Sequence, residues 1–154
     1  MYYIGVDLGG TNIAAGIVDE KGNLLRKASI PTGAEREADE VIKDMAGLCR
    51  KLIDEQGITV DDVEYAGVAT PGTADHDNGI VVYANNLRFH NYPLADKLKE
   101  FLGVKKVLIE NDANAAAKGE AACGAAKGYA NSVMITLGTG LGGGIIIDNK
   151  IYSG

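Results

Sequence analysis

Two glycine-rich turns, each set between strand-like apolar runs, constrain this chain more than any other feature. Tyr2-Tyr3-Ile4-Gly5-Val6 leads into Asp7-Leu8-Gly9-Gly10-Thr11, and Ile13-Ala14-Ala15-Gly16-Ile17-Val18 leaves it. Near the other end, Val133-Met134-Ile135-Thr136-Leu137 leads into Gly138-Thr139-Gly140-Leu141-Gly142-Gly143-Gly144, and Ile145-Ile146-Ile147 leaves it. Apolar run, glycines, apolar run is the pattern of a β-hairpin. A tip without side chains lets backbone N–H groups approach an anion closely, and a threonine hydroxyl at the tip adds a donor. Two such tips point to a clamp for a polyphosphate, with a nucleotide the natural candidate. The alternative for either turn alone is an ordinary glycine-rich β-turn.

The second turn spells Gly138-x-Gly140-x-x-Gly143, letter for letter a dinucleotide fingerprint. That fingerprint needs a helix after the glycines and an acid about 20 residues further on. Here three isoleucines follow, which read as strand, and the sequence ends first. A P-loop is excluded because no Gly-Lys-Ser/Thr is present.

Between the two turns the pattern alternates. Strands are expected at 2–7, 13–19 and 23–31, with a turn at Asp19-Glu20-Lys21-Gly22-Asn23. From 35 to 56, Ala38, Val41, Ile42, Met45, Leu48, Cys49, Leu52 and Ile53 recur at helical spacing, and Gly57 closes the helix. Tyr65–Ala69 reads as a buried strand ending at Thr70-Pro71-Gly72. A short hairpin is expected around Asp77-Asn78-Gly79, between Thr73 and Val82. Pro93 is expected to start a helix to Leu102, and Val107-Leu108-Ile109 is a strand running into Asn111-Asp112-Ala113-Asn114-Ala115-Ala116-Ala117, a helix former. Early strands followed by alternating helices and strands indicate an α/β fold with a mixed sheet.

Three polar groups in this frame can carry chemistry. Asp7 precedes the first glycine turn, where a carboxylate repels phosphate unless a cation intervenes; it therefore suits Mg²⁺, directly or through water, or else an Asx-type turn cap. Asp112 sits where a strand stops and a helix starts, the edge where α/β folds place ligands. It can accept a hydroxyl proton while that hydroxyl attacks a phosphoryl group, or it can be an N-cap, or both through different oxygens. Asn85 and Asn86, beside Phe89 and Tyr92, suit a polyhydroxyl ligand because each amide both donates and accepts; polar turn residues are the plain alternative.

Apolar residues make up 46% of the 154, enough for one core and part of another, and the formal net charge of −6 argues against nucleic acid or an anionic membrane as partner. No run of about 18 apolar residues marks a membrane span, and no signal-peptide pattern precedes the first strand. His76 and His90 lack partners at metal-ligand spacing. Cys49 and Cys123 lie far apart, and each is expected to be a small buried thiol in a reducing cytoplasm.

Together these segments resemble the ROK family of sugar kinases and repressors, within the actin–hexokinase–chaperone ATPase superfamily. Asp7-Leu8-Gly9-Gly10-Thr11 is similar to its first phosphate motif, and Leu137 to Gly144 to its second. Glu110-Asn111-Asp112-Ala113-Asn114-Ala115-Ala116-Ala117-Lys118-Gly119-Glu120 is similar to its catalytic strand–helix junction, and Ala69-Thr70-Pro71-Gly72 and Asn86-Leu87 to its sugar-contacting loops. The resemblance implies a ribonuclease H-like (actin-like ATPase) domain over 1–120 and the first strands of a larger second domain over 121–154, an N-terminal portion of a longer protein. It implies transfer of the ATP γ-phosphoryl group to the 6-hydroxyl of a hexose in the cytoplasm. Asp112 would be the general base; Asn111, Asn86 and the backbone at Gly72 would hold the sugar. Gly9, Gly10, Thr11, Asn12, Gly138, Thr139 and Gly140 would surround the ATP phosphates, with Asp7 near Mg²⁺. A homodimer and a structural zinc are implied only for sequence beyond Gly154. Two rivals remain: a sugar-sensing regulator without catalysis, disfavoured by the absence of a helix-turn-helix ahead of the first strand, and an ATPase that needs no sugar.

Overall fold

The computed structural model describes residues 1–137 and 141–153. Two compact units divide the chain, Met1–Glu110 and Asn111–Gly154.

The first unit opens with three strands, β1 (Tyr2–Leu8), β2 (Asn12–Asp19) and β3 (Leu24–Pro31), followed by helix α1 (Ala38–Gln56). After a single 3-10 turn comes β4 (Val63–Thr70). Three short strands follow, β5 (Thr73–Asp75), β6 (Ile80–Tyr83) and β7 (His90–Tyr92), then helix α2 (Leu94–Leu102) and strand β8 (Val107–Asn111). The main sheet has the order β3-β2-β1-β4-β8. β1 runs antiparallel to β2 and parallel to β4, so the sheet is mixed, as the alternating pattern predicts. β5, β6 and β7 form a separate three-stranded sheet. His90 and Asn91 of β7 are exposed, so no burial alternation marks the segment in the sequence, and the register Val81↔Tyr92 and Tyr83↔His90 makes it a strand.

The core follows from two periodicities. Ile4, Val6 and Leu8 alternate inward along β1, while Val41, Ile42, Met45, Leu48, Cys49, Leu52 and Ile53 line one face of α1. α1 packs on β2, β3 and α2, and Leu94, Leu98 and Leu102 of α2 join the same cluster. Burying aliphatic side chains of this size stabilises by roughly 1.5–3 kcal/mol each. Pro93 is the cap of α2 rather than its first residue.

The second unit holds helix α3 (Asp112–Cys123) and strands β9 (Ser132–Leu137), β10 (Leu141–Ile147) and β11 (Lys150–Ile151), paired as β11-β10-β9. α3 covers this sheet through Ala113 and Ala117, its two buried residues. Cys123, in the last turn and off that stripe, is exposed, which corrects the expectation of two buried thiols; Cys49 is the buried one. No helix among the described residues is long and apolar enough to cross a membrane.

Candidate functional site

The first glycine turn is pinned from two sides. Leu8 and Ile13, both fully buried, pair across the hairpin and anchor its base in the core. The Gly9 N–H donates to the Asn12 carbonyl at 3.0 Å, and Thr11 and Asn12 stand exposed at the tip. Beneath lies Thr32, fully buried, just past β3. Its hydroxyl donates to the Gly9 carbonyl at 2.7 Å and its N–H to the Thr11 carbonyl at 2.9 Å. Sequence reading misses Thr32, which belongs to no motif; its signal is the register that pairs Asn12 with Pro31.

Asn86, named from a segment more than seventy residues away, comes to the same place. A Cβ on Gly10 would lie 3.1 Å from the Asn86 Cβ and 3.7 Å from its Nδ2, so the amide sits against the glycine turn. Asn85 and Asn86 are exposed, while Leu87 and Phe89 are buried and tie their turn to the core. Phe89 stacks on Tyr92 with ring centroids 4.9 Å apart, and the Tyr92 hydroxyl donates to Asp39 of α1 at 2.7 Å. The aromatics therefore fasten the amide turn from behind instead of lining a ligand surface with it. Burial, and then the Asp39 carboxylate, push the Tyr92 phenol well above its ordinary value. The Tyr92 hydrogen bond, assisted by nearby Lys97, holds the Asp39 carboxyl below the usual range.

Because β1 and β4 are parallel, with Asp7 opposite Ala69, the glycine turn and the Thr70-Pro71-Gly72 loop leave the sheet at one edge. Asp7 is exposed there. Gly72 has φ +82°, and a Cβ would fall 2.0 Å from the Tyr83 carbonyl oxygen and 2.8 Å from the Ala84 Cα. Only glycine fits, and its backbone is held against the end of β6.

In the second unit Asn111 is the N-cap of α3, its Oδ1 accepting from the Ala113 and Asn114 N–H groups at 3.0 and 3.2 Å. Asp112 is the first helical residue, exposed, with Oδ1 accepting from the Ala113 N–H at 2.8 Å. Asn111 thus does the capping that the sequence also allows for Asp112. Gly138, Thr139 and Gly140 lie outside the described residues. Gly142, Gly143 and Gly144, expected in the turn, belong to β10. A Cβ on Gly144 would lie 2.6 Å from both the Ala113 carbonyl oxygen and the Ala117 Cβ, so this glycine admits helix α3 onto the strand.

Chemically, the first unit brings the Gly9-Gly10 turn with its exposed Thr11 and Asn12, the Asn86 amide and the exposed Asp7 carboxylate to one sheet edge. The second presents a carboxylate at a capped helix start, where a negative charge is favoured. No cluster of three or more His, Cys, Asp or Glu among the described residues forms a metal-binding group.

The family model described as ROK family matches residues 3–154. The chain is 40% identical over 152 residues to the glucokinase of Thermotoga maritima, covering 98% of this chain and 46% of that protein. It is 42% identical over 152 residues to the glucokinase of Streptomyces coelicolor, covering 98% and 45%. Among solved structures it matches a ROK family glucokinase from Streptomyces griseus in complex with glucose and AMPPNP, with a TM-score of 0.88 at 40% identity, over 100% of this chain and 47% of that one. The chain therefore spans about half the length of these relatives. Its mixed sheet with helices is the actin-like ATPase fold of ROK glucokinases.

Proposed function

The chain belongs to the ROK family of sugar kinases and related proteins, and on that premise we propose that it carries the acid-bearing part of an ATP-dependent hexose kinase. The reaction moves the γ-phosphoryl group of ATP to the 6-hydroxyl of glucose or a closely related hexose. The observation that carries this reading is the division of labour at the start of α3. Asn111 caps the helix, and the exposed Asp112 carboxylate, whose Oδ1 accepts from the Ala113 N–H, keeps its Oδ2 for a substrate.

Asp112 accepts the proton of the attacking hydroxyl. In a loose phosphoryl-transfer transition state that proton leaves late, so placement matters more than basicity. The cap fixes the placement. By the family resemblance, Asn86, the backbone at Gly72 and, in the second unit, Asn111 are assigned to the sugar hydroxyls, and the Gly9–Asn12 turn and, separately, Gly138, Thr139 and Gly140 to the phosphates. The donor set fits a nucleotide-bound Mg²⁺, which keeps several waters and takes only one or two carboxylates. Asp7, the exposed acid beside the glycine turn, would hold it through water. When bound, that ion offsets charge on the transferring phosphoryl group. On this reading the full-length protein is a cytoplasmic homodimer, with its zinc site outside these residues.

In the full-length protein, Asp112→Asn is expected to lower kcat for glucose phosphorylation by about 10²–10⁴-fold with little change in the glucose KM. A coupled assay measures it, and unchanged turnover overturns the assignment.

A further inference from the structure

We infer that Thr32 is a positioning residue for nucleotide binding: its buried hydroxyl aims a backbone N–H of the first glycine turn at the phosphates. The inference rests on the kinase reading above and adds a residue outside every motif in the chain.

A Gly-Gly tip has a weakness. Gly9 and Gly10 let a phosphate approach the backbone, yet for the same reason they let the peptide plane between them rotate. An anion cradle whose N–H groups wander loses much of its preorganisation. Something outside the tip must fix that plane. Thr32 does so through its hydroxyl, which donates to the Gly9 carbonyl at 2.7 Å, while its N–H, donating to the Thr11 carbonyl at 2.9 Å, holds the far side of the turn.

All described peptide bonds are trans. In a trans peptide the C=O and the following N–H point in opposite directions. Holding the Gly9 carbonyl down onto Thr32 therefore turns the Gly10 N–H away from Thr32, and holding the Thr11 carbonyl does the same for the Asn12 N–H. The Gly10 amide then points away from the buried threonine, to the side where a phosphate would meet it. Thr32 is 0% exposed, so no water replaces its hydroxyl once removed. The Thr32 carbonyl is held in turn by the Arg36 guanidinium at 3.0 Å, which pairs with Asp44 of α1 at 2.7 Å. The backbone bond to Thr11 survives any Thr32 substitution, so a side-chain variant isolates the hydroxyl.

The test uses the full-length protein. Thr32→Val keeps the shape and deletes the hydroxyl; Thr32→Ser keeps the hydroxyl and deletes the methyl. Thr32→Val is expected to raise the ATP KM and the AMPPNP Kd about fivefold, while the glucose KM stays within about twofold. Thr32→Ser is expected to keep both nucleotide constants near those of the unaltered protein. Should Val not fold, Thr32→Ala removes the same hydroxyl, and all constants are taken well below each variant's melting temperature. Unchanged AMPPNP affinity without the hydroxyl overturns the inference. So does an equal rise in both KM values, or a serine variant no better than valine, since either marks a merely structural threonine. If the unaltered protein binds AMPPNP but phosphorylates no hexose, the kinase reading falls and the AMPPNP comparison still decides the role of Thr32. If it binds no AMPPNP, both fall.

Discussion

At the Gly9–Asn12 turn the missing side chains open the tip of a hairpin, and Asn86 is the nearest neighbour of the space a Gly10 Cβ would occupy. In β10 the missing side chain at Gly144 is filled from the other direction, by the backbone and Ala117 of helix α3. The surroundings differ as much as the glycines. The first turn stands on a buried Leu8–Ile13 pair and a sheet whose inner face is packed by α1, with α2 joining the same core. The second unit buries only Ala113, Ala117 and Ile146 among its described apolar residues, and leaves Val133, Ile135, Leu137 and Leu141 exposed. A glycine-rich stretch is thus two devices with one spelling. At a turn it clears room for a ligand; in a strand it clears room for a helix.

The comparison breaks most visibly at Gly144. Gly144→Ala puts a methyl 2.6 Å from a backbone oxygen and another Cβ, neither of which is the end of a flexible side chain. A loss of about 2–3 kcal/mol is expected from such overpacking, read as a lower denaturation midpoint of the full-length protein. Wild-type stability would show that α3 does not depend on this close approach.

Gly10→Ala should behave oppositely. Its new methyl meets the Asn86 Cβ at 3.1 Å, a contact looser than the two at 2.6 Å and relieved if the exposed Asn86 turn gives by a few tenths of an ångström. Stability is expected to fall by under about 1 kcal/mol, whereas nucleotide and sugar constants both worsen because the methyl stands between turn and amide. A stability loss matching that of Gly144→Ala, with kinetics unchanged, would erase the distinction between the two segments.

Much of the architecture was legible because periodicity reports burial. The strands of the main sheet, both helices of the first unit and the strand–helix junction at Asn111 lie close to where alternation and helical spacing place them. What escaped depends on partners distant in sequence. β7 exists through its register with β6, and Thr32 acts through a turn more than twenty residues earlier. The Asn85-Asn86 pair was visible as chemistry, but the inward packing of Phe89 and Tyr92 was not, since an aromatic in a polar stretch reads equally as ligand platform or anchor. Gly142 to Gly144 read as turn because composition cannot say which face of a strand a helix will occupy.

The smallest effect separates the two units through their thiols. Cys49 is sealed on the inner face of α1, and burial pushes its pKa up to about 12; Cys123 is exposed at the end of α3. At pH 8 iodoacetamide is expected to modify Cys123 alone in the folded protein and both thiols after denaturation, as mass spectrometry of the two peptides would show. The sign of the pH effect follows from the neutral thiol being the form that folds. Below the unfolded-state value of ~8.5 both states hold the proton, and Cys49 leaves stability independent of pH. As pH rises from there toward about 12, the unfolded chain releases a proton that the folded one keeps, and the contribution is progressively lost. At pH 8.5 the loss amounts to about 0.4 kcal/mol, and Cys49→Ala should remove that slope from denaturation midpoints measured against pH. Rapid alkylation of Cys49 in the native state would instead place the weaker packing in the first unit, reversing the contrast between the two.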